Sequence, residues 1–147
     1  MAISCILLTV IANIFIVTYK AVNTSDQQST AQNLAVMSIR QIEYEVRETN
    51  FTNLGIYSSV NSINGTAIYF DSTKHVMNIG TSTFLGSSFN NYRCTLNFSE
   101  ISSTLLGISI VIDDNNGNLL YSTTTSVAVG ETIGGNATSG GMEIVLS

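Results

Sequence analysis

Thiols, imidazoles and carboxylates at matched spacing are what a nucleophilic or metal-assisted site requires, and this sequence supplies few of them. Its thiols are Cys5 and Cys94, and its one imidazole is His75. A zinc or redox cysteine wants a second ligand two to four residues away, and a catalytic cysteine wants a histidine base. Neither pattern exists: there is no C-x-x-C, and His75 stands in the run STKHVMNIG with no motif around it. Cys5 lies inside an apolar N-terminus and Cys94 in a β-rich region, so the two read as small buried hydrophobes rather than a disulfide.

Two loops invite a ligand and do not support one. DDNNGN, Asp113 to Asn118, lacks the alternating acidic register and the distal glutamate of a calcium loop, so it reads as a turn. GETIGGNATSGG, Gly130 to Gly141, lacks the G-K-[ST] ending and following helix of a phosphate loop, so it reads as a flexible surface loop. No enzymatic activity, cofactor or metal is expected. Nor is nucleic acid: five Lys and Arg are scattered among ten Asp and Glu, giving a net charge of −5 with no basic stripe to neutralise phosphates. With only 10% of residues charged, the polar load falls on Ser, Thr and Asn, a composition suited to a water-facing domain outside the cell.

The elements that would position any function begin with MAISCILLTVIANIFIVTY, Met1 to Tyr19, uncharged until Lys20. At about 1.5 Å per residue a helix of this length matches the hydrocarbon thickness of a bilayer. The segment lacks the basic start and small-x-small end of a cleaved signal peptide. It is therefore expected to be either a permanent membrane anchor or a helix that leaves the membrane to pack in a filament core, carried by Ile6, Leu7, Leu8, Val10, Ile11, Ile14, Phe15, Ile16 and Val17, with Asn13 seeking a partner on a neighbouring helix. The polar run VNTSDQQST, Val22 to Thr30, is expected to loosen the helix. Apolar periodicity then returns at Ala35, Ile39, Ile42 and Val46, an amphipathic stripe for a β-sheet, until NFTNLG from Asn50 to Gly55 ends it.

Beyond Gly55 the period switches to two. Strands are predicted at Ile56 to Val60, Ala67 to Asp71, Val76 to Ile79, Phe84 to Leu85, Tyr92 to Phe98, Leu105 to Ile112, Leu119 to Val129 and Met142 to Leu146. The Asn64-Gly65 pair predicts a hairpin joining the first two. The expected fold is α+β: a helical segment 1–50, with 1–19 as the membrane or filament-core part and 20–50 as the amphipathic half, followed by an antiparallel, sandwich-like domain over 51–147. Five N-x-[ST] sequons mark Asn23, Asn50, Asn64, Asn97 and Asn136 as glycosylation candidates, with Asn50, Asn64 and Asn136 in predicted turns and Asn97 in a strand.

A charge-free N-terminal helix running into an amphipathic half and then a β-domain resembles a mature type IV pilin-like protein. The absence of an acid in MAISCI, Met1 to Ile6, makes the chain more similar to archaeal pilins and archaellins than to bacterial pilins. The resemblance implies a precursor trimmed by a class III signal peptidase so that Met1 is the first processed residue. It further implies a subunit held in the membrane by its helix, then drawn by the pilus assembly machinery into a helical homo-oligomeric filament on the cell surface, serving adhesion. Alternatives are an archaellin for motility, a single-pass membrane-anchored surface or filament-machinery component, and a tethered lectin-like or enzymatic β-domain.

Overall fold

The computed structural model describes residues 2–48, 51–59, 65–135 and 140–147, with side chains in the first segment described from residue 7. One helix, α1, runs Ala2–Glu48 without a break. The expected loosening at Val22 to Thr30 does not occur. The hydroxyls of Thr24 and Thr30 donate to the carbonyls of Lys20 (3.0 Å) and Asp26 (2.9 Å), so they bond the preceding turn instead of competing with the helix.

The chain divides into two compact units, Met1–Thr30 and Ala31–Ser147. In the second, Ala31, Leu34, Ala35, Ser38, Ile42 and Val46 of α1 are buried, a stripe at i, i+3, i+4, i+7, i+11 and i+15. Ile39 is only partly buried and packs at its margin.

Among the described residues nine strands follow: β1 (Leu54–Tyr57), β2 (Thr66–Asp71), β3 (Val76–Ile79), β4 (Ser82–Phe84), β5 (Tyr92–Ser102), β6 (Leu105–Asp114), β7 (Leu119–Ala128), β8 (Ile133–Gly135) and β9 (Glu143–Leu146). They form one sheet in the order β4-β3-β2-β9-β1-β8 and a second in the order β5-β6-β7. The architecture is α+β and mostly antiparallel; the exception is β1, which pairs parallel to β8.

Two expectations are corrected here. β1 and β2 do not form a hairpin. The C-terminal β9 lies between them, pairing Ile144 with both Ile56 and Ile68. Asn64 itself falls outside the described residues, as does the Val60 end of the first predicted strand. Likewise Gly130 to Gly141 is not wholly a surface loop, because Ile133–Gly135 adds a strand and Gly141 bridges Phe98. Ile133 is buried within the run and Val129 just before it, so the Gly-rich segment is tied down by apolar side chains.

Alternation sets the core. On β5, Cys94, Leu96 and Phe98 are buried while Arg93, Thr95 and Asn97 are exposed; β6 buries Leu106, Ile108, Ile110 and Ile112. All four residues of β9 are buried, as expected of a strand paired on both edges with both faces covered. The buried apolar residues of β5 and β6, Ile144 and Leu146 of β9, the apolar side chains of the helical stripe, and Leu54 and Ile56 of β1 form one cluster. The β6–β7 hairpin is closed by Asp114. Its carboxylate accepts from the backbone N–H groups of Asn116 and Asn118 and from the Asn118 side chain, all at 2.8 Å, while Gly117 takes a φ of +84°.

Candidate assembly helix

The unit Met1–Thr30 carries most of the large apolar side chains that stand exposed among the described residues. Leu7, Leu8, Val10, Ile11, Ile14, Phe15, Ile16, Val17, Tyr19 and Val22 are all 41% exposed or more, with Phe15 at 71% and Tyr19 at 75%. Successive helical residues step about 100° around the axis, so Ile14 to Val17 alone point in four directions. The segment is apolar all round rather than along one stripe, which distinguishes it from the amphipathic 31–48 half. By length and composition it can cross a membrane.

A water-soluble helix of this composition would be disfavoured, since Val10, Ile11, Ile14, Ile16 and Val17 are β-branched and restrict χ1 against the preceding turn. In an apolar medium the choice reverses, because only a helix satisfies every backbone group within the segment. Asn13 is exposed in the middle of the run. The Ile6 side chain lies outside the described ones. Tyr19 and Val22 extend the exposed apolar surface past Val17. The signal for Val22 is present in the sequence but is masked by its polar neighbours.

Of the sequons, Asn23 lies exposed on α1 and Asn97 exposed on β5; Asn50, Asn64 and Asn136 lie outside the described residues. The outward face around Asn97 is rich in hydroxyls. Thr95, Ser122, Thr124 and Ser126 are exposed, and Thr124 bonds Ser109 across the strands at 3.3 Å.

Cys94 and His75 line one cleft of about 480 Å³, with Phe70, Ser72, Arg93, Thr95 and Asn115 on its other walls. Cys94 is a free, buried thiol whose pKa is pushed up to about 12, first by burial and then by the nearby Asp113 carboxylate. His75 sits at a turn with a φ of +53°, its Nδ1 3.1 Å from the Tyr92 carbonyl oxygen. The carboxyl of Asp114, a partly exposed residue, is held below the usual range chiefly by the Asn118 side chain, then by the Asn118 and Asn116 backbone. Among the described residues no three His, Cys, Asp or Glu side chains are grouped to hold a metal.

A cleft of about 670 Å³ opens beside the C-terminal part of α1, with Gln41, Glu45, Tyr69, Thr81, Phe84 and Glu143 on its walls. Glu143 is fully buried, and Glu45 accepts a hydrogen bond from Gln41 at 3.0 Å. The described lining has no Lys, Arg or His, so its electrostatics disfavour an anion. Sequence patterning does not single this cleft out, because its walls come from segments as distant as Gln41 and Glu143. No family model, curated protein or solved structure matches this chain.

Proposed function

We propose that this chain is the structural subunit of an extracellular, type IV pilus-like filament of identical copies, inserted in the membrane by its N-terminal helix before assembly. The observation that carries the reading is the set of ten large apolar side chains between Leu7 and Val22 that stand exposed around the whole helix. Removing such side chains from water is worth about 1.5–3 kcal/mol each when complete. For ten half-exposed groups the gain is on the order of 10 kcal/mol, comparable with the whole stability of a small domain. The segment must therefore sit in lipid or be covered by copies of itself.

The β-rich part suits an outer sheath. Its exposed Ser, Thr and Asn side chains meet water without attracting charge, and Asn97 and Asn23 offer exposed sites for glycans. Adhesion to surfaces is the role proposed for such a filament.

A single-pass surface protein that never polymerises uses the same helix. Asn13 favours contact between helices over a solitary anchor, because lipid offers its amide no hydrogen-bond partner and a neighbouring helix does. The deciding experiment is electron microscopy of material sheared from cells, with mass measurement and N-terminal sequencing of its protein. Filaments composed of this chain, with residues 7–22 retained, are expected. A freely soluble monomer with the helix intact, or export with the helix removed, overturns the proposal.

A further inference from the structure

The apolar rod is not uniform. With Thr9 taken as the reference direction, Asn13 lies about 40° away, Ile16 about −20° and Lys20 about 20°, so Thr9, Asn13 and Lys20 share one face. All three are exposed. Ile11, at roughly 200°, and Ile14 and Phe15, at roughly 140° and −120°, occupy the other side. The opposite face carries one polar group, Thr18. A threonine hydroxyl can be satisfied by the carbonyl four residues back, as Thr24 and Thr30 show in this same helix. An asparagine amide has two donors and an acceptor with two lone pairs, and one helix cannot supply them all.

Resting on the filament-subunit reading, we infer that the Thr9–Asn13–Ile16 face is the seam along which this helix meets the same helix of a second copy while both are still in the membrane. The occupant is another copy because the chemistry is self-complementary: an amide is donor and acceptor at once, so an identical amide across the seam answers it. Lipid cannot answer it, and a purely apolar partner helix would leave it unsatisfied in hydrocarbon. The short side chains of Thr9 and Ala12 beside Asn13 allow the two backbones to come close, which brings the amides within reach. Lys20, on the same side, ends the run where its ammonium can reach the lipid headgroups. The remaining faces, built from Leu7, Leu8, Ile11, Ile14, Phe15 and Val17, stay in contact with acyl chains.

The test uses the full chain carrying Cys5→Ser, reconstituted in phosphatidylcholine vesicles with no assembly machinery. Single cysteines are placed at Thr9, Ala12 and Ile16 on the seam and at Ile11, Ile14 and Phe15 away from it, then oxidised with copper phenanthroline. The parent with Cys94 alone is the blank. Disulfide-linked dimer is expected at the seam positions and near the blank level at the others. In the Thr9→Cys chain, Asn13→Leu should reduce the dimer yield about three- to tenfold, while Asn13→Gln, which keeps an amide, should retain most of it. Equal yields at all six positions, a maximum at Ile11 or Ile14, or indifference to Asn13→Leu overturns the seam. Filaments in sheared material alongside any of those results would leave the filament-subunit reading standing, so the two failures are distinguishable.

Discussion

Replacing Ile42 by Ala tests whether the second half of α1 is structurally part of the β-rich unit. Ile42 is fully buried, whereas Tyr44, two residues on and on the far side of the same helix, is 59% exposed. Truncating a buried isoleucine to alanine removes its transfer free energy and leaves a cavity, typically a loss of about 2–5 kcal/mol. Alanine also raises helix propensity by a few tenths of a kcal/mol at either position, so the difference between Ile42→Ala and Tyr44→Ala isolates burial. With a loss of about 3 kcal/mol and a urea slope of about 1.5 kcal/mol per molar, the midpoint for Ile42→Ala should fall by about 2 M. Tyr44→Ala should move it by less than about 0.5 M, the usual scale for a surface change. The assay is urea unfolding of the full chain in mild non-ionic detergent, followed by near-ultraviolet circular dichroism of the tyrosines. Equal midpoints for the two variants would refute the docking of residues 31–48 on the sheets.

Other expectations follow from single sites. Gly135 has a φ of +106°, and a Cβ there would collide with the Ile56 carbonyl oxygen, so Gly135→Ala should cost at least about 2 kcal/mol in the same assay; Gly134→Ala meets nothing and should be close to neutral. Asp114 should titrate below the ordinary value of 3.8 when its carboxyl carbon is followed by NMR. Because its folded-state pKa is lowered, its stabilising contribution is present above the unfolded value and disappears as pH falls through the folded one, and Asp114→Asn should remove that dependence. Cys94 is protonated near neutrality and buried, so iodoacetamide at about pH 8 should spare it in the native chain and alkylate it in denaturant.

The amino-acid pattern alone determined the apolar helix, its amphipathic continuation and most of the strands, because each is written in a local period. Nineteen uncharged residues can only be a long apolar element; Ala35, Ile42 and Val46 repeat with the helical turn; Cys94, Leu96 and Phe98 alternate with the strand. Asp113 to Asn118 was legible as a turn for the same reason, since its carboxylate and amides bond within six residues. Pairing was not local. The Asn64-Gly65 signal favoured a hairpin of β1 with β2, yet β9 enters between them: Ile144 brings an apolar side chain to both neighbours, a contact spanning some 80 residues that no short window contains. The same holds for β8, three residues in a Gly-rich run that are a strand only because β1 presents an edge to them, and for Glu143, whose burial depends on the central place of its strand. Period fixes what each segment can become; which edges meet is decided by the summed burial of the whole core, and that exists only in three dimensions.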